Sequence, residues 1–409
     1  MVTYDAVICG AGPAGATAAK FIADAGLKVV VLEKGKFPRN KACGGALRTQ
    51  VVSDFEHVRN GITKIPHTVC YRAKMYPPSL ENCVDYNPGD IVMYNIRRIH
   101  FDAMLADMAR DSGAELREGE EVHKVSVSSS GGVLQLKGGE EVFGKVIIGA
   151  GGMNDPVAKY MRRKENLPEK WPKSDIGFVL MQECDVGEDF IKDRYGEEKT
   201  SYFHLKPNSL YGYAWAFPKK DTLNMGIGAF WSYMKSIDIK GAFRGYLKML
   251  KKEGLAPPNL KIDDPKGAQI PLRGAIKTTY SDRILLLGDA AGFVSPIGGD
   301  GIYYAMSSGR IAAHVVKQST SEDSYVKSTL SRYQDAWFSK WGRDLQVLCY
   351  FADKVFDKTE QVIRYAARDS IFREMCVRLY DGKMPARMLK GRILRRVARN
   401  YLLYDVLRI

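Results

Sequence analysis

The stretch Tyr4 to Lys34, YDAVICGAGPAGATAAKFIADAGLKVVVLEK, decides the fold. An apolar run from Ala6 to Cys9 is followed by Gly10, Gly12 and Gly15, then an Ala-rich helical segment, then a second apolar run from Lys28 to Leu32 closed by Glu33. This is the β-α-β pattern of a dinucleotide-binding unit. Gly10 allows the tight turn, Gly12 lets the backbone approach a pyrophosphate, and Gly15 lets the helix pack on the strand, so that the helix N-terminus aims its unpaired N–H groups at phosphates. Glu33 ends the second strand, where a carboxylate can accept hydrogen bonds from a ribose diol. The glycines alone are a weak signal; strand, helix, strand and acid in order make a nucleotide site the expected reading.

A second element decides which nucleotide. In DRILLLGDAAGFVSPIGGDGIYYAMSSGRIAA, Asp282 to Ala313, a buried strand (Ile284 to Leu287) runs into the tight turn Gly288 to Gly292, and Gly298-Gly299-Asp300-Gly301 opens a helix near Ile302. A carboxylate at Asp289 can hold the hydroxyls of a sugar-alcohol chain, and the helix N-terminus at Gly301-Ile302 can stabilise negative charge on a ring. A domain for NAD does not need this element; one for a flavin does.

Between the two lie the connecting parts. The loop KFPRNKACGGA ends in Cys43-Gly44-Gly45, and adjacent glycines after a cysteine suggest backbone brought close to something flat or bulky. Thr63 to Asp90 reads as short strands and turns broken by Pro77-Pro78 and Pro88-Gly89, part of a sheet outside the nucleotide domain. Ile99, Met104, Leu105 and Met108 recur at helical spacing up to Gly113, with Arg98 at the helix start, where it could reach a diphosphate. Strand signals follow at Glu121 to Val127, Val133 to Leu136 and Lys145 to Ile148, the last returning beside the first strand and running into Gly149-Ala150-Gly151-Gly152.

The segment SLYGYAWAFPKKDTLNMGIGAF, Ser209 to Phe230, places Tyr211, Tyr213, Trp215 and Phe217 at every second residue, on one face of a strand. A polar turn, Lys219-Lys220-Asp221, leads to a partner strand from Leu223. Such a face is either plain core or the wall of an apolar pocket. A wall suits a long hydrocarbon, whose burial contributes about 0.8 kcal/mol per CH₂.

Composition narrows the class. At 409 residues two or three domains are expected. No run of roughly 18 apolar residues offers a spanning helix, and the apolar N-terminus lacks the basic start of a signal peptide. The expected location is the cytoplasm. The seven cysteines show no CxxC pair, so neither a zinc site nor a disulfide framework is expected. The net charge of +14 concentrates in the tail, where Lys383, Arg387, Lys390, Arg392, Arg395, Arg396 and Arg399 mix with apolar residues as a basic amphipathic helix. That helix either packs solvated on the body or meets anionic headgroups, on the inner face of the membrane, or an acidic electron carrier. No recognition motif points to nucleic acid.

With the glycine fingerprint, Glu33, Arg98 and the Gly288 to Gly292 turn in order, the chain resembles the FAD-dependent hydroxylase and reductase superfamily, and within it the geranylgeranyl reductase family, over roughly residues 3 to 320. Its specific marks are Lys41-Ala42-Cys43-Gly44-Gly45, followed by Ala46-Leu47, the run Tyr213-Ala214-Trp215-Ala216-Phe217-Pro218, similar to a Y-x-W-x-F-P signature, and Pro296 to Arg310. The resemblance implies that Ala14, Glu33, Gly44, Ala46, Arg98, Val122, Asp289, Gly301 and Ile302 contact FAD, that Cys43 faces the flavin ring near the substrate, and that Tyr213 and Trp215 line an isoprenoid cavity. It implies an α/β fold: a Rossmann-type FAD domain (1–60, 91–155 and 270–320), an antiparallel β-sheet substrate domain (61–90 and 156–269) and a helical C-terminal region (321–409). The expected activity is reduction of geranylgeranyl C=C bonds, with Cys43 and then Tyr213 as proton donors and Tyr211, Tyr213, Trp215 and Phe217 binding substrate. The alternatives are a monooxygenase and a non-catalytic prenyl-binding protein. Many superfamily members carry Gly-Ala-Asp-Gly where this chain has Gly149-Ala150-Gly151-Gly152, which leaves the electron donor open between ferredoxin and NAD(P)H.

Overall fold

The computed structural model describes residues 3–233, 238–382 and 384–407. Within them the chain builds an eight-stranded and a seven-stranded sheet, a small three-stranded sheet, and a helical C-terminal region.

The first sheet is organised by Thr3–Cys9, which pairs in parallel with Val29–Glu33 on one side and Glu141–Gly149 on the other. Ile284–Leu286 extends it in parallel beyond Glu141–Gly149, and Glu115–Glu118 closes the opposite edge beside Val29–Glu33. Ala6, Val7, Ile8, Val30, Ile147 and Ile148 are fully buried. That explains why these strands read as continuous apolar runs: both faces are covered, leaving no side to alternate toward water. The helix Pro13–Asp24 packs against Ile302–Ser321 and Arg98–Asp111. Its approach to the sheet depends on Gly15, where a Cβ would sit 1.9 Å from the Gly10 carbonyl oxygen.

The second sheet runs in the order Lys266–Pro271, Ile176–Asp185, Thr222–Phe230, Gly212–Pro218, Ser201–Leu205, Ala73–Tyr76, Val84–Tyr86. Ser201–Leu205 and Ala73–Tyr76 are parallel, so the sheet is mixed and not wholly antiparallel. One face packs on Glu188–Tyr195 and Ile239–Lys252 through Tyr195, Phe243, Tyr246 and Leu250. Burial of each contributes on the order of 1.5–3 kcal/mol. The other face packs Trp215 and Phe217 with Cys70 and Met93 of the small three-stranded sheet.

Two segments fall outside the expected division. His67–Cys70 pairs with Met93–Ile96, itself paired with Ala46–Arg48, in the small sheet that joins the two large ones. Pro156–Lys164, capped by the Asp155 side chain, packs on strands of the first sheet.

Beyond Ser321 the helices Lys327–Trp337, Arg343–Asp357, Thr359–Arg368, Ser370–Asp381 and Ala386–Tyr401 follow one another. Their core is aromatic: Phe293 meets Trp341 edge to face at 4.7 Å, and Phe356 packs against Tyr211 and Phe230. Among the described residues no helix is long and apolar enough to cross a membrane. Lys383, counted in the basic tail, lies outside the described residues, as does Ile409.

Candidate active site

A cleft of about 590 Å³ opens at the carboxyl ends of the parallel strands, where the glycine turn meets the start of the first helix. Gly10, Gly12, Ala14, Glu33, Val122 and Asp289 line it, from four separate segments of the chain. Pro13 occupies the first helical turn and donates nothing, so the free N–H groups of the next residues are left for a ligand. A Cβ at Gly12 would meet nothing within 4 Å; the backbone there borders open space that an anion can fill.

Glu33 is buried and held from three directions. Its carboxylate accepts from the Ala11 N–H (2.8 Å) and the Gly35 N–H (2.9 Å), and pairs with Arg39 (3.2 Å). Arg39 also reaches Asp102 (3.2 Å) and lines the cleft, as do Lys34, Lys41 and Lys159. Cations spread along a cleft with a helix N-terminus at its centre fit the two phosphates of FAD, and Asp289 stands where the expected sugar-alcohol chain would pass.

Arg98 departs from expectation. It is buried, donates to Asp102 through Nε (2.6 Å) and Nη2 (2.8 Å), and is not on the cleft wall. Burial works against its charge, but Asp102 and the nearby Cys43 sulfur more than offset this and hold its pKa above the ordinary arginine value. The arginine on the cleft wall is Arg39, shortly after Glu33 in the chain, which the sequence reading passed over.

The loop after Arg39 joins this cleft to a second cavity. Lys41 lines the cleft and lies 3.8 Å from Asp289 across it, whereas Cys43, Gly44 and Ala46 line an apolar cavity of about 110 Å³. Its other walls are Tyr213, Trp215 and Phe217, the turn around Gly301 and Ile302, and, at the end, Phe230 and Phe356. Gly44 faces the rings: a Cβ there would lie 3.0 Å from both Trp215 Nε1 and Phe217 Cε2. The Cys43 sulfur accepts from the Gly45 N–H at 3.3 Å. The Tyr213 hydroxyl donates to the Gly298 carbonyl at 2.6 Å, tying the aromatic strand to the glycine turn.

Tyr211 is not on this wall. It precedes the strand Gly212–Pro218 and is buried in the aromatic core, stacked on Tyr233 at 3.8 Å, with its hydroxyl donating to Asp357 (2.9 Å). The polar turn also differs from its reading. Lys219 is buried and paired with Glu183 at 2.5 Å, while Lys220 stays exposed. Glu183 further accepts from Thr222 (2.7 Å) and Asn224 (2.8 Å). These polar groups lie behind the cavity wall, on the neighbouring strands Ile176–Asp185 and Thr222–Phe230 and the turn that leads into the second.

The family described as FAD binding domain matches residues 3–186. The chain is 32% identical over 337 residues to an uncharacterised protein of Methanosarcina barkeri, covering 81% of this chain and 79% of that one. It is 28% identical over 404 residues to digeranylgeranylglycerophospholipid reductase 2 of Methanopyrus kandleri, covering 96% of each. A solved structure, described as geranylgeranyl bacteriochlorophyll reductase-like, from Thermoplasma acidophilum, shares the fold with a TM-score of 0.76 at 20% identity, over 98% of this chain and 96% of that one.

Proposed function

We propose that this chain, which belongs to the geranylgeranyl reductase family of FAD-dependent oxidoreductases, saturates carbon–carbon double bonds of a geranylgeranyl chain, with Cys43 as the proton donor. One observation carries the reading: a single loop borders both spaces, with Lys41 on the nucleotide cleft and Cys43 on the apolar cavity.

Bound FAD, once reduced, supplies the hydride that an isolated alkene accepts only when a proton reaches its other carbon. The chain provides the rest. Gly10, Gly12, Ala14, Glu33, Val122 and Asp289 would hold the dinucleotide, with Gly15 letting the helix approach and Arg39 offering its charge to the phosphates; Gly44, Ala46, Gly301 and Ile302 would border the ring. Trp215 and Phe217 exclude water and present a flat wall to the chain. Cys43 holds a proton at Sγ on the cavity surface; Tyr213 is the less suited donor, because its hydroxyl proton is committed to Gly298. A cavity of about 110 Å³ suits the reacting segment of an isoprenoid chain rather than its full length.

The substrate is a lipid or a diphosphate, and the tail meets anionic membrane. Helix Ala386–Tyr401 packs through Leu389 and Ile393 while exposing Arg392 and Arg395 beside Met388 (63% exposed) and Leu394. Reducing equivalents come from ferredoxin or NAD(P)H, which stopped-flow reduction of the bound flavin by each donor separates.

The deciding experiment is anaerobic: reduce the flavoprotein with dithionite, add a geranylgeranyl lipid or diphosphate, and follow flavin reoxidation and product mass. Reoxidation with a gain of two hydrogens per double bond is the expected result. Reoxidation only on admission of oxygen, with a hydroxylated product, would favour the monooxygenase instead.

A further inference from the structure

The polar group behind the cavity wall has no part in the chemistry so far described. Asn224 is fully buried on Thr222–Phe230, and its Oδ1 and both of its amide N–H groups are engaged. Its Oδ1 accepts from the Trp215 indole N–H at 2.8 Å; its Nδ2 donates to Glu183 Oε2 at 2.8 Å and to the Cys43 carbonyl at 3.3 Å. An indole N–H only donates and a carboxylate only accepts, so these two partners fix which way the amide points. The remaining N–H then meets the Cys43 carbonyl. Glu183 is in turn fixed by Lys219 and Thr222. Burial raises the Glu183 pKa, but Lys219 and these donors outweigh it and the carboxyl is held below its ordinary range.

We propose that Asn224, oriented by the Glu183–Lys219 pair, is a positioning residue: one amide clamps the backbone of the thiol-bearing loop to the indole of the aromatic wall and so sets the height of Cys43 over the cavity. The loop's other ties point away from the ring: the Cys43 sulfur meets the Gly45 N–H and stands beside the Arg98 guanidinium, and the Gly45 carbonyl accepts from the Ile96 N–H at 2.9 Å. Gly44 contributes no side chain, so the amide is what joins the Cys43 backbone to the indole by hydrogen bonds.

The inference rests on the reductase reading for its catalytic consequence, and the test separates the two. Wild type, Asn224→Leu and Cys43→Ala are prepared as flavoproteins, and the rate at which iodoacetamide alkylates Cys43 is measured by peptide mass spectrometry, with Cys349 as internal control. Asn224→Leu is expected to change Cys43 alkylation by about fivefold or more, the scale of a lost hydrogen bond, with Cys349 unchanged. In single-turnover reduction of the geranylgeranyl chain it lowers the rate by about tenfold with substrate affinity kept, and it adds little to Cys43→Ala, since both act on one group. Unchanged alkylation, or full additivity with Cys43→Ala, overturns the proposal. Absence of turnover in the wild type overturns the reductase reading and leaves the alkylation result to decide the clamp. Should Asn224→Leu not fold, Asn224→Ser, which also cannot bridge the loop and the ring, gives the same alkylation readout.

Discussion

Gly44 is the residue at which packing and chemistry meet most closely. Its missing Cβ is what lets the loop lie on Trp215 and Phe217, and alanine would have to displace one of those rings or the loop. Overpacking of this kind costs about 1–3 kcal/mol. A loop displaced by a fraction of an ångström should also slow reduction by roughly tenfold to a hundredfold. Calorimetry and single-turnover kinetics of Gly44→Ala test both numbers; a wild-type rate would uncouple the loop from catalysis. Asp155 offers a second test. It is 1% exposed, accepts from the Gly151 and Ala158 N–H groups at 2.7 Å, and burial pushes its carboxyl pKa up to about 6 despite those bonds. The folded chain therefore binds this proton more tightly than the unfolded chain, whose aspartate titrates near 3.9. Its contribution to stability is full below about pH 4 and is lost as pH rises through about 6. Asp155→Asn keeps the helix cap and removes the titration. Relative to wild type it should gain on the order of 2 kcal/mol between pH 4 and pH 7, measured by urea unfolding at each pH. No relative change would show that the carboxyl is ionised throughout.

At the scale of elements, what was legible followed from local pattern. The first strand, helix and second strand, the helix after Arg98 and the aromatic hairpin all announce themselves by period and punctuation within a dozen residues. Side-chain destinations did not. Arg98 and Arg39 are both cations near an acid in sequence, yet Asp102, four residues on, draws Arg98 inward and leaves Arg39 at the cleft. Lys219 and Lys220 are adjacent and chemically identical, and only the distant Glu183 buries the first of them. Asn224 could not be read as a clamp, because Trp215 and Glu183 are brought to it by pairing between strands and Cys43 by a loop 181 residues earlier in the chain. The tail helix was legible as basic and amphipathic, but not which arginines stay free: Arg396 and Arg387 are taken by Asp369 and Asp344. Arg392 and Arg395 remain on the exposed face with Met388. Replacing both with Gln should weaken binding to phosphatidylglycerol vesicles by about 2 kcal/mol, roughly thirtyfold, at about 1 kcal/mol per basic residue. Cosedimentation reads this directly, and an unchanged partition would count against a membrane role for this helix.

For the whole molecule, the junction between the two large sheets is the loop after Arg39, the small sheet and the aromatic end of the second sheet. Tyr213 bonded to Gly298, and Tyr211 to Asp357, tie the second sheet to the glycine turn and to the C-terminal helices. FAD should therefore stabilise the molecule as one body. At a hundredfold excess over its Kd it adds about 2.7 kcal/mol, and tryptophan fluorescence and far-ultraviolet circular dichroism should show the same shift in melting midpoint. Two transitions, of which FAD moves only one, would show that the sheets melt independently.

The order in which strands enter the sheets also governs how the chain is made. Thr3–Cys9 waits for Glu141–Gly149 and the sheet edge for Ile284–Leu286, while Ala73–Tyr76 waits for Ser201–Leu205 and the second sheet for Lys266–Pro271. The second sheet is incomplete until the ribosome has released the chain past residue 271, and the first until it has released residue 286. Until then apolar strand edges stand open, the condition in which long-range pairings are slow and nascent chains need chaperones. Ribosome-bound chains halted before that point should be digested readily by protease, and those halted well beyond it should resist; no amino-terminal fragment shorter than this can be harvested as a folded nucleotide-binding module.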